Sequence, residues 1–278
     1  MPVATINGLK HHYMDQGTGT PIFFLHGATG SHHQFTDEHT PSISQKFRCI
    51  STDARGLGGS EHVSTMPYMA WVDDQLALMD HLGIESAHIC GSSRGSRVAL
   101  RFTIEHPERV KSLLLDGAII AMNEAGDASL NRNAGDGSKL PPAAQEDNRR
   151  RHGEDWMDVV RNYFNLRNLP GLQSYLNTRD EVDQIKCPVL IMHGDVDDGT
   201  HPLASTFELF ARLERARLCI LPDIGGYSVN RFGHEAFARV VIDWVEKLES
   251  GVEVKNAFAG YDSCRATLSN LVTDVVAR

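Results

Sequence analysis

The pentapeptide Gly91-Ser92-Ser93-Arg94-Gly95 lies between a short apolar run, 87–90, and a helix-like pattern through Phe102 and Ile104. A serine on a tight strand-to-helix turn is held in a strained conformation that lifts its hydroxyl above the sheet. Only glycine fits at the flanking positions, where strand and helix crowd together. The helix start behind the serine offers unpaired N–H groups and a partial positive charge. G-x-S-x-G is a weak pattern by itself, since both residue types are common. Its place after one apolar run and before one amphipathic segment gives it weight.

Similar runs recur along the chain. Residues 22–25 are strand-like and end at His26-Gly27, and 47–52 end at Asp53 and a glycine-rich turn. From 68 to 82, Trp71, Val72, Leu76, Leu78, Met79 and Leu82 recur at roughly helical spacing before Gly83. Residues 110–115, 189–192 and 218–221 read as further strands, and 203–213 and 235–248 as helices. Alternating strands and helices imply a mostly parallel sheet covered on both faces, an α/β fold. The alternation is interrupted over 119–184, so the expected layout is a core of 1–118 and 185–249 with 119–184 inserted. The remainder, 250–278, is expected to add a helix over 264–276 with an apolar stripe of Leu268, Leu271, Val272, Val275 and Val276. That stripe packs on its own core or, as the alternative, makes a homodimer contact.

Composition narrows the function classes. A net charge of −9, with basic residues scattered except at Arg149–Arg151, argues against nucleic acid as a partner. No apolar run approaches the roughly 20 residues needed to cross a bilayer. The first residues lack the basic-then-apolar layout of a secretion signal, and a cytoplasmic location is expected. The five cysteines are odd in number and widely spaced, with no metal-ligand pattern. Neither a metal nor a cofactor is expected.

The segments HGATG at 26–30, DARGLGGS at 53–60, GSSRG at 91–95, HPERV at 106–110, VLIMHGDVD at 189–197 and EAFARVVIDWV at 235–245 carry a further signal. In this order and spacing they resemble the α/β-hydrolase superfamily, through Leu248. The resemblance implies a nucleophile at Ser93 and an oxyanion hole built from the backbone N–H groups of Ala28 and Arg94. His26 is expected to be structural. The Arg94 side chain should reach the pocket or its rim, where an anionic substrate and an acid such as Asp53 are both open as partners.

A serine's histidine base needs a carboxylate to orient it. Gly194-Asp195-Val196-Asp197 matches the family's G-x-x-D pattern and nominates Asp197, with Asp116 as the alternative. The base is where the sequence departs from the family. Read without gaps from Glu235-Ala236-Phe237, Tyr227 stands where the histidine belongs. A tyrosine, with an ordinary pKa near 10, is a poor base at neutral pH. His234 is then the expected base if the preceding loop folds differently from the norm. The alternatives are a replaced histidine that leaves Ser93 unactivated, and non-hydrolytic chemistry with Tyr227 as a hydrogen-bond donor.

The insert 119–184 corresponds to the family's cap, whose Trp156, Met157, Tyr163, Phe164 and Tyr175 either line a substrate cavity or pack the cap onto the core. Trp156 and Tyr227 are expected to touch the substrate. The polar stretch 123–137 is expected to gate entry. The implied function is a cofactor-independent serine hydrolase of a small ester, lactone or related carbonyl compound. A lyase on the same scaffold and a ligand-binding protein with an impaired site are the alternatives.

Overall fold

The computed structural model describes residues 2–124, 126–128, 130 and 137–256; the expected helix over 264–276 and part of the 123–137 stretch lie outside them. Eight strands form one sheet: β1 (Val3–Ile6), β2 (Leu9–Gln16), β3 (Pro21–Leu25), β4 (Arg48–Thr52), β5 (Ala87–Ser92), β6 (Val110–Asp116), β7 (Val189–Gly194) and β8 (Ala216–Leu221). Their spatial order is β1-β2-β4-β3-β5-β6-β7-β8. The pairs β1–β2 and β2–β4 are antiparallel and the remaining pairs are parallel.

The antiparallel edge was not foreseen from the sequence. It turns at Asn7-Gly8, where both residues have positive φ, 49° and 79°. That is the backbone a two-residue hairpin needs, and Asn-Gly is the dipeptide that adopts it most readily.

Among the described residues, six helices have ten residues or more: α1 (Ala70–His81), α2 (Arg94–Glu105), α3 (Pro142–His152), α4 (Trp156–Arg167), α5 (Leu203–Arg212) and α6 (His234–Glu249). Alternate residues of the central strands feed two cores, as the period of two demands. Phe23, Leu25, Ile89, Leu113, Leu115 and Ile191 face one layer with Trp71, Val98, Phe102, Tyr163 and Leu209. Ile22, Phe24, Cys90, Leu114, Leu190 and Met192 face the other with Phe237, Val241, Trp244 and Val245 of α6. Strands β5 and β7 are buried along their whole length. That explains why Val189–Met192 of β7 reads as an unbroken apolar run rather than as alternation. The segment between β6 and β7, where the alternation of strands and helices is interrupted, carries α3 and α4.

Candidate active site

The elbow follows from steric necessity. Ser93 has φ 51° and ψ −114°, a backbone that non-glycine residues rarely adopt. Its N–H donates to Asp116 O at 3.0 Å, fixing the turn to the end of β6. A Cβ on Gly95 would lie 2.0 Å from Leu25 O, and one on Gly91 would lie 2.4 Å from Gly95 O. Glycine at both places lets α2 start directly against β3 and β5. Neither the Ala28 nor the Arg94 N–H has a hydrogen-bond acceptor among the described residues, and both residues line a cavity with Ser93.

Ser93 is met by an imidazole, and it is His201. His201 Nε2 lies 2.9 Å from Ser93 Oγ, while its Nδ1 lies 3.1 Å from Asp198 Oδ1. Asp198 also accepts from the N–H groups of Thr200 and His201, at 2.7 and 2.6 Å. These bonds close a small turn that sets the imidazole's direction. Partial burial pushes the Asp198 carboxyl up, but the His201 hydrogen bond and charge and the two N–H groups outweigh it and bring it down to about 2. Burial lowers the His201 pKa below the ordinary imidazole value, opposed by Asp198. At neutral pH the ring is uncharged, with Nδ1–H directed at the carboxylate and Nε2 open to the Ser93 hydroxyl.

His234 and Asp197, the residues the sequence nominated, are elsewhere. His234 is exposed at the start of α6, with its ring 5.4 Å from that of His39. The loop ahead of it is tied down by short helix Val229–Phe232 and does not carry the ring inward. Asp197 is exposed, and its Oδ1 accepts from Leu203 N at 2.6 Å, capping α5. Its neighbour Asp198 is the one turned toward His201. Asp116, the alternative acid, is fully buried and accepts from Ser92 Oγ, Ser228 Oγ, Val229 N and Asn230 Nδ2. Burial pushes it up to about 6 against those bonds. It ties the segment after β8 to the elbow and has no hydrogen-bonded imidazole among the described residues.

Tyr227 occupies the place expected of a histidine and packs on the histidine that is present. The Tyr227 and His201 rings are stacked at 3.5 Å and 6°. Gly117, at φ 58°, makes room for them, since a Cβ there would lie 2.7 Å from Tyr227 Cδ2 and 3.4 Å from His201 Cδ2. Burial pushes the Tyr227 hydroxyl up to about 12, and it also interacts with Ser93, so it stays protonated. Tyr227 therefore backs the imidazole instead of lining the cavity.

The cavity over Ser93 is lined by Ala28, Trp71, Arg94, Arg97, Tyr163 and Arg167, with Ile119, Met122 and Leu176 among the apolar contributors. Its volume of about 10 Å³ is about that of one water molecule. Trp156 does not reach it: the indole is 2% exposed and packs in the core under the insert. Tyr163, on the same helix, is the aromatic that does. His26 is structural in this geometry. Its Nε2 accepts from Ala54 N–H at 3.1 Å and its Nδ1–H donates to Gly27 O at 2.8 Å. Burial drives its pKa well down and keeps it neutral.

Asp53 does not pair with Arg94. Its carboxylate lies against His12 and His32, whose ligand atoms fall with it within 4.8 Å. Its oxygens already accept from His32 N–H, Gly59 N–H and the His12 ring. Burial pushes the carboxyl up, but the His12 and His32 rings, through hydrogen bonds and charge, hold it far below its usual range. The group is a satisfied hydrogen-bonded cluster that secures the turn after β4.

A sequence model of the alpha/beta hydrolase fold matches residues 20–159, half of the chain. The chain belongs to the α/β-hydrolase family. A 2-hydroxy-6-oxononadienedioate/2-hydroxy-6-oxononatrienedioate hydrolase of Comamonas testosteroni is 28% identical over 270 residues, spanning 86% of this chain and 92% of that protein. The fold is shared with a meta-cleavage product hydrolase from Pseudomonas fluorescens IP01, at TM-score 0.68 and 22% identity over 89% of this chain and 98% of that one. It is shared too with a thermophilic esterase from Thermogutta terrifontis, at TM-score 0.72 and 20% identity over 88% and 98%. Family membership accounts for the elbow. The family's usual arrangement gave no pointer to an imidazole from the segment after β7.

Proposed function

We propose that the chain is a cofactor-independent serine hydrolase of small esters, lactones or related carbonyl compounds, working through Ser93, His201 and Asp198. The observation that carries this reading is the 2.9 Å contact between His201 Nε2 and Ser93 Oγ. His201 takes the hydroxyl proton as Ser93 Oγ bonds to the substrate carbonyl carbon, and Asp198 stabilises the imidazolium that forms. The Ala28 and Arg94 N–H groups hold the developing alkoxide; losing one such donor costs roughly 3 kcal/mol of transition-state stabilisation. His201 then passes its proton to the leaving group, and the carbonyl re-forms as the acyl–Ser93 ester. Water, deprotonated by His201, releases the acid. The insert between β6 and β7 serves as a cap that closes over this chemistry.

A fluorophosphonate probe is expected to label the protein at one residue, found at Ser93 by peptide mass spectrometry, and Ser93→Ala should show neither labelling nor p-nitrophenyl ester turnover. Labelling at another serine, or ester turnover that survives in Ser93→Ala, removes the proposal. The reading also fixes a pH profile. Because burial disfavours the charged ring, His201 is in its basic form above a midpoint lower than the ordinary 6.5. The ester kcat/KM should therefore rise with pH along a single acid limb centred below 6.5 and be level at neutrality. A limb centred well above 7 contradicts a neutral, buried His201.

A further inference from the structure

Arg94, Arg97 and Arg101 lie on one face of α2, spaced three and four residues apart. Their partners differ in a way that tracks distance from the nucleophile. Arg101, farthest along, is bonded to the Glu181 carboxylate at 2.6 and 2.9 Å. Arg167, which also lines the cavity, pairs with Asp127 at 2.6 Å. Arg97 is 3% exposed, and its bonds among the described residues go to the Gln173 side-chain and backbone oxygens. Its Nε is buried with no hydrogen-bond partner among the described residues. Arg94 is 6% exposed and donates to the His26 and Gly27 carbonyls, with its guanidinium 4.8 Å over the Trp71 ring. Its approach to His26 Nδ1 adds no bond, because that nitrogen already donates to Gly27 O. Among the described residues, neither Arg94 nor Arg97 is hydrogen-bonded or ion-paired to a carboxylate; Asp127, which pairs with Arg167, acts on Arg97 only through space.

Burying a cation without a counter-charge is costly, and buried charges are ordinarily paired. Burial holds both guanidinium groups down to about 10. Both line the cavity that contains Ser93. We propose that Arg94 and Arg97 form a binding subsite for a carboxylate on the substrate, so that the preferred substrate is an ester or lactone with a second, free carboxylate. Guanidinium matches carboxylate with paired N–H donors, and the orphaned Arg97 Nε is one such donor. Arg97 lies about one helical turn beyond Ser93, about 5–6 Å along the axis, which suits a short acyl chain between the two groups. The inference names a substrate class for the hydrolase proposed above and rests on that reading for turnover, though not for binding.

The test compares mono-p-nitrophenyl glutarate with p-nitrophenyl valerate, which has a methyl group in place of the carboxylate. The full chain is expected to favour the glutarate ester at least tenfold in kcat/KM. In Arg97→Gln that ratio should collapse by tenfold or more, mainly through KM, and Arg97→Lys should recover part of it. Binding is read separately in Ser93→Ala, where glutarate should raise the melting temperature by at least about 2 °C and glutaramide should not. Equal use of the two esters, together with no glutarate-specific shift, overturns the subsite. A glutarate-specific shift in a protein that turns over neither ester upholds the subsite and overturns the hydrolase reading alone.

Discussion

Replacing His201 with alanine is expected to lower ester kcat/KM by about 10⁴-fold or more, whereas His234→Ala should stay within about twofold of the parent protein. The contrast follows from position. His201 Nε2 is 2.9 Å from Ser93 Oγ and its Nδ1 is held by Asp198, while His234 is exposed beside His39. Without the imidazole, the Ser93 hydroxyl has no group to take its proton. What remains is the contribution of the backbone N–H groups and of binding. Steady-state kinetics on the two variants, with melting temperatures recorded alongside, decides between the histidines. A collapse in His234→Ala with His201→Ala unaffected reverses the assignment.

The second large effect concerns the scaffold. Gly95→Ala is expected to destabilise the fold by more than about 4 kcal/mol, which lies at the extreme of single substitutions. A methyl group there would sit 2.0 Å from Leu25 O, 2.6 Å from Leu25 C and 2.8 Å from His26 O. All three are backbone atoms of β3 and the turn after it, so no side chain can rotate away. The sheet and α2 must separate, in a molecule whose whole stability is of the order of 5–15 kcal/mol. Thermal unfolding should show the midpoint falling by on the order of 10 °C, or the variant should fail to accumulate in soluble form. A midpoint within 2 °C of the parent protein shows that the crowding between α2 and β3 is not real.

The elbow was legible in sequence because sterics leave few residues able to occupy it. The parallel core was legible for a related reason. Strands buried on both faces, such as Leu113-Leu114-Leu115 and Val189-Leu190-Ile191-Met192, have unbroken apolar runs. The N-terminal hairpin was harder to see, since Leu9–Gln16 is mostly polar and only Asn7-Gly8 marked its turn.

His201 was missed for a physical reason. The order of motifs along the chain says which segment usually delivers a base, but the fold decides which segments share a point in space. Strands β7 and β8 are neighbours, and Gly194 N–H donates to Tyr227 O at 2.8 Å, so the connections that follow the two strands run side by side. The imidazole that meets Ser93 comes from the first of them, and the Tyr227 ring of the second lies against it. The available signal was the Asp198-Gly199-Thr200-His201 spacing, three residues from acid to histidine on one turn. The G-x-x-D pattern points to Asp197, one residue short of Asp198, and one residue's difference in a turn reverses the direction of a side chain. Trp156 was nominated by size and aromaticity, which serve packing as well as binding, and its place on α4 turns it to the core.

The acid and the histidine both belong to the connection between β7 and α5, three positions apart. A protein that draws these two groups from separate loops must keep both loops in register with the serine. Here the carboxylate and the ring travel as one unit, and their mutual distance is set by a local turn rather than by how two distant pieces of chain meet. Breathing of the connection would then change the reach to the serine without uncoupling the pair. It also leaves the segment after β8 without a chemical duty of its own. That segment must still present a flat ring for the imidazole to lie against, and Ser228 and Asn230 to hold the buried Asp116.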